Sequence, residues 1–211
     1  MFCMPPRGLL FLSKPYFLTK IHYSMIKKWL RLLRHKTSPP EKSFPHLVKQ
    51  HLLQQHLQHN DIRTLLEINT FPGADTAGHL PGDRFIAAEI SENLYAASHK
   101  KPFSRATVEQ CWGASRKVLQ QLSQHLQQPV ICWLDGHYSS LHEKICPIFD
   151  QLEIFFTAAG RHIFLINNAA RFNGQDGWPA LESLVAFLKN KDYRYRICIQ
   201  DNVIVATVAI P

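Results

Sequence analysis

Pro129–Ser140 reads PVICWLDGHYSS. Val130, Ile131, Cys132, Trp133 and Leu134 are continuously apolar, the pattern of a strand covered on both faces in the middle of a parallel sheet. The run stops abruptly at Asp135, Gly136, His137 and Tyr138. Open α/β sheets bind ligands beyond the carboxyl ends of their strands, so Asp135 falls where a crevice would lie. Gly136 lets the chain turn sharply, and His137 and Tyr138 follow within reach of the same crevice. Taken alone, these residues also describe a strand that ends in a polar turn.

The flanking sequence decides between the two. Strand patterns fall at 64–69, 84–90, 107–111, 130–134 and 162–166, alternating with helix patterns at 47–60, 74–80, 92–100, 115–126, 145–159 and 177–189. Two closing strands, 195–200 and 203–210, are separated by Asp201-Asn202, a pair suited to a two-residue hairpin. Alternating β and α with a terminal antiparallel pair predicts an α/β protein: a doubly wound, mostly parallel sheet with a C-terminal antiparallel hairpin.

With 211 residues, 45% of them hydrophobic, the chain suits one α/β domain with an appendage. Its formal charge of +8 is unevenly spread. Residues 1–40 hold eight of the 24 Lys and Arg and no acid, leaving 16 basic against 16 acidic residues elsewhere. The folded part is neutral, so no nucleic-acid partner is expected. Cys3, Cys111, Cys132, Cys146 and Cys198 are odd in number, show no CxxC spacing and sit mostly in apolar runs, which fits a reduced cytoplasm. His51, His56 and His59 lack the i, i+4 spacing of a helical metal site and read as a solvated helix face.

The division expected is a basic arm at 1–40, a linker and lead-in helix at 41–60, and the folded domain at 61–211. The apolar piece 8–12 is too short to span a bilayer. Residues 25–36, MIKKWLRLLRHK, place Ile26, Trp29, Leu30 and Leu33 on one helical stripe, with Lys27, Lys28, Arg31, Arg34 and Lys36 largely elsewhere. Such a helix either packs on the domain or makes peripheral contact with an anionic membrane, here the inner face of the cell membrane. Met25 also offers an alternative translation start.

Read together, the strand ends converge. Glu67, Asn69 and Gly73 follow the first strand in EINTFPGADT; Glu89 ends the second, 22 residues on, where an acid can accept hydrogen bonds from ribose hydroxyls. Gly113-Ala114-Ser115 follow the third, Asp135-Gly136-His137-Tyr138 the fourth and Asn167-Asn168-Ala169 the fifth.

In this register the chain resembles the class I S-adenosylmethionine-dependent methyltransferases, most closely an uncharacterised bacterial branch with WLDGHYS, GDS and DDAR motifs. The likeness covers about residues 46–207 and rests on Trp133 to Ser139, on Glu89-Ile90-Ser91-Glu92-Asn93-Leu94-Tyr95, and on Phe164-Leu165-Ile166 before Asn167. It also rests on Arg171-Phe172 and on Trp178-Pro179-Ala180-Leu181-Glu182. It implies a Rossmann-like methyltransferase domain that holds S-adenosylmethionine on Glu67, Asn69, Gly73, Glu89, Gly113, Ser115 and Asp135. Asp135 and His137 would be the catalytic pair, orienting and deprotonating an acceptor hydroxyl; a histidine hydrogen-bonded in a turn is the alternative for His137.

The departures fall on chemistry. Asn69 replaces a glycine, Ala114 an aspartate, and Asn167 and Asn168 two aspartates. Asn69 narrows the cofactor turn and Ala114 removes an acceptor near the adenine, so weak cofactor binding is expected. Metal-dependent O-methyltransferases hold a divalent cation with an Asp after the fourth strand and an Asp-Asn pair after the fifth. Asp135 with two neutral amides is a poor set for Mg²⁺, and no divalent metal is expected. Two functions fit: a methyltransferase that O-methylates a small hydroxyl-bearing molecule, or a methyltransferase-fold binding or scaffold protein that has lost turnover.

Overall fold

The computed structural model describes residues 45–68, 83–89, 95–96, 107–112, 115–135 and 145–208. The expected helices at 74–80 and 92–100, save Tyr95 and Ala96, and the arm at 1–40 lie outside them. Helix α1 (Pro45–Asn60) enters the sheet, whose strands are β1 (Thr64–Ile68), β2 (Arg84–Glu89), β3 (Thr107–Trp112), β4 (Ile131–Leu134), β5 (Ile163–Ile166), β6 (Arg196–Gln200) and β7 (Val203–Thr207). Helices α2 (Ser115–Ser123), α3 (Ile148–Phe155) and α4 (Leu181–Lys191) lie between them in sequence.

The sheet order is β3-β2-β1-β4-β5-β7-β6. β4 runs parallel to β1 on one side and to β5 on the other, and all four of its residues are buried. The continuous apolar run therefore marks the middle of the sheet, as its composition requires. β7 joins β5 antiparallel and pairs with β6. Asp201 and Asn202 both take positive φ, 48° and 65°, the conformation a two-residue hairpin of matching twist demands and one that Asp and Asn tolerate. Edge strand β6 alternates exposed Arg196 and Cys198 with buried Ile197, whereas Val203–Ala206 of β7 are all buried.

Each sheet face is covered. Leu66, Ile68, Ile86, Cys132, Leu134, Phe164 and Ile166 point to the larger core, under Leu119 of α2, Ile148, Leu152 and Phe155 of α3 and Leu184, Val185 and Leu188 of α4. The alternate residues Leu65, Phe85, Ala87, Ile131, Trp133, Ile163 and Leu165 meet Leu52, Leu53 and Leu57 of α1. Side chains alternate along strands, so Glu67, Glu89 and Asp135 extend the rows that face α1.

Two helices are shorter at their starts than their patterns predict. The helix expected from 145 begins at Ile148, because Pro147 has no N–H and keeps Cys146 out of helical geometry; the Cys146 N–H instead bonds the Gly177 carbonyl at 2.9 Å. The helix expected from 177 begins at Leu181 after Pro179, with Ala180 extended. The histidines of α1 are also not uniformly solvated: His51 and His59 are exposed, but His56 is half-buried, and burial and the neighbouring His59 lower its pKa.

Candidate functional site

β1 leads through β2 to β3 on one side of the sheet, while β4 leads to β5 on the other. Strand order thus reverses between β1 and β4, and the crevice of an open α/β sheet opens beyond their carboxyl ends. Glu67 and Asp135 flank that point, Glu67 lying in register with Trp133 two residues before Asp135. Glu89 closes the adjacent strand β2 on the same face. Three acids named from the sequence are therefore brought to one edge of the crevice.

Their surroundings differ. Glu67 is 2% exposed, and its carboxylate forms an ion pair through Oε1 with the Lys49 ammonium of α1. That ammonium also lies 5.3 Å from the centre of the Trp133 ring. Oε2 of Glu67 is buried with no hydrogen-bond partner among the described residues. Burial pushes the Glu67 carboxyl above the ordinary glutamate range; the Lys49 charge and hydrogen bond pull it back, and the Asp135 charge pushes it further up. Glu89 is also buried, and its register partner on β3 is Trp112, 56% exposed.

Asp135 is half-buried, and one of its oxygens, Oδ1, accepts a hydrogen bond from the Asn168 Nδ2 amide at 3.3 Å. Asn168 sits in the left-handed region, φ 63° and ψ 47°, which re-aims its side chain across from β5 to β4. The segment is held from behind. The Ala169 N–H bonds the Asn202 carbonyl and the Ala170 N–H bonds Asn202 Oδ1, both at 2.8 Å, so the β6–β7 turn braces the loop after β5. Among the described residues, the groups at this point are one carboxylate and neutral carboxamides, a poor donor set for a hard divalent metal. Among the described residues no group of three or more His, Cys, Asp or Glu gathers to hold a metal.

Asn69, Gly73, Gly113, Ala114 and His137 lie outside the described residues, and Ser115 is described only as the opening residue of α2. Two contributors escaped the sequence analysis. Lys49 gave one signal, being the only Lys, Arg, Asp or Glu in α1. Trp112 gave none, since an aromatic at a strand end is ordinarily core.

The sequence matches no family model and no curated protein. Among solved structures, the plantazolicin methyltransferase BamL, crystallised in complex with a triazolic desmethylPZN analog and SAH, is similar with a TM-score of 0.50. The identity is 8%, over 85% of this chain and 73% of that one. A precorrin-6y C5,15-methyltransferase from Geobacter metallireducens aligns with a TM-score of 0.49 and 11% identity, over 82% and 93% of the two chains. An rRNA methylase from Streptococcus thermophilus aligns with a TM-score of 0.48 and 15% identity, over 81% and 100%. The fold of this chain is thus similar to that of the plantazolicin methyltransferase BamL: a Rossmann-like, mostly parallel sheet ending in an antiparallel hairpin.

Proposed function

We propose that this protein binds S-adenosylmethionine across the ends of β1, β2 and β4 and methylates a hydroxyl of a small molecule. The observation that carries the proposal is the buried Glu67 carboxylate, one oxygen engaged by Lys49 and the other without a partner among the described residues, at the point where strand order reverses. A buried acceptor left unmatched is costly, and a donor on a bound ligand removes that cost. The cofactor, when bound, supplies a methyl group activated by a sulfonium. The chain's own residues have separate tasks. Glu67 accepts from a donor on the amino-acid end, Glu89 accepts from the ribose hydroxyls, Asp135 orients the acceptor hydroxyl, and His137 takes its proton.

Calorimetric titration of S-adenosylmethionine and S-adenosylhomocysteine tests this. Binding is expected in the micromolar range or weaker, lost or much reduced in Glu89→Ala; no binding by either compound, or binding indifferent to Glu89→Ala, defeats the proposal. One observation favours a second function, that of a methyltransferase-fold scaffold without turnover: the Asn168 amide occupies an oxygen of Asp135, in a place where the resembling family carries acids. Cofactor binding with no methyl transfer to any of a panel of catechols, phenols and sugars supports that alternative.

A further inference from the structure

Lys49 is the single formally charged side chain of a helix otherwise built from Leu, His, Gln and other uncharged residues, yet it is not in water. Its side chain is 13% exposed, against 3% for Glu67, and it lies against the indole of Trp133. Desolvating two ions in this way seldom stabilises a fold more than an apolar pair of the same volume would. The location calls for another role. Among the described residues, the elements packed against Glu67 are α1, β2 and β4, and the charged groups they bring to this side are Lys49, Glu89 and Asp135. Without Lys49, burial and the charge of Asp135 would act on the Glu67 carboxyl with no counter-charge, raising its pKa further. A protonated Glu67 would be a weaker acceptor and would present an O–H where a ligand donor must approach.

We propose that Lys49 is a positioning residue of the crevice: it holds Glu67 as a carboxylate with Oε1 engaged, leaving Oε2 to accept a hydrogen bond from an N–H donor of the ligand. This rests on the cofactor proposal above. Helix α1 is then more than a cover for the sheet, since it supplies the counter-charge that makes a buried acid usable. Lys49 acts through Glu67 rather than by touching the ligand.

The test pairs two measurements. The Glu67 side-chain carboxyl is followed by ¹³C NMR against pH in the ligand-free protein, and S-adenosylhomocysteine affinity is measured from pH 5.5 to 8. In the wild type Glu67 is expected to be ionised by pH 7 and affinity to be flat towards neutral pH. In Lys49→Met the Glu67 titration moves to higher pH. Affinity then falls on acidification by up to about tenfold per pH unit, as a single linked proton allows. Lys49→Arg restores the flat profile, and Lys49→Gln, which keeps a donor without the charge, is read like Lys49→Met should the latter not fold. A Glu67 carboxyl protonated through pH 7 in the wild type, an unmoved titration in a folded neutral variant, or an equal loss of affinity at every pH overturns the inference. If the wild type binds no S-adenosylhomocysteine at all, the cofactor proposal fails while the carboxyl titration still decides the role of Lys49.

Discussion

His162, at the mouth of β5 opposite the crevice, has an imidazole that is 2% exposed. Its Nδ1 accepts from the Val130 N–H at 3.3 Å, which puts the proton on Nε2, and its ring lies among Phe155 and Phe164. The Tyr195 hydroxyl donates to its carbonyl at 2.7 Å. Burial lowers its pKa from 6.5 to about 4. The native protein therefore refuses a proton that the unfolded chain accepts below pH 6.5. Stability is complete above that pH and is lost as pH falls towards 4, by up to about 3 kcal/mol from this one group. Urea unfolding at pH 7 and pH 4.5 is expected to show that loss, and His162→Gln to flatten much of it while lowering stability at pH 7. An unaltered pH slope in the variant would assign the acid sensitivity to other groups.

At the scale of elements, the β6–β7 turn and helix α1 both reach the crevice from outside it. Asn202 has three tasks: it turns the hairpin at φ 65°, and its carbonyl and carboxamide oxygens accept from Ala169 and Ala170. Asn202→Ala loses the left-handed tolerance and the side-chain bond, and is expected to cost about 1 to 3 kcal/mol. Asn202→Gly keeps the backbone freedom and loses only the bond, so its melting temperature should lie between those of Asn202→Ala and the wild type. Asn168, braced by that turn, should release Asp135 in both variants, visible as a change in cofactor affinity larger than in a surface control. Helix α1 is packed through Leu52, Leu53 and Leu57 on the face made by Leu65, Ile131, Trp133 and Leu165. Leu53→Ala is expected to cost about 2 to 5 kcal/mol, as in any close-packed core. A cost below 1 kcal/mol in denaturant would show the helix to be loosely attached.

In the molecule as a whole, the basic excess lies in the first 40 residues, outside those described, and no helix among the described residues is long and apolar enough to cross a membrane. If residues 25–36 hold an anionic membrane, vesicles containing phosphatidylserine should sediment the full chain and not one lacking residues 1–40, with the binding weakened as salt rises. Salt-independent binding, or binding retained after deletion, contradicts a basic anchor. The sequence by itself determined the architecture. Strand β4 is legible because a run buried on both faces must be apolar throughout. The hairpin is legible because few residues tolerate two successive positive φ angles, and Glu67, Glu89 and Asp135 are legible because carboxyl ends of parallel strands meet by topology. Helix starts at Ile148 and Leu181 were missed because apolar periodicity continues across Pro147 and Pro179, where backbone sterics do not. Only the tertiary structure decided what surrounds each acid. Lys49 lies 18 residues before Glu67 and Asn168 33 residues after Asp135, and separations of that kind close only when a helix packs on the sheet and β5 aligns beside β4. Periodicity reports which face of an element is buried; which charge meets which is set by the packing of elements far apart in the chain.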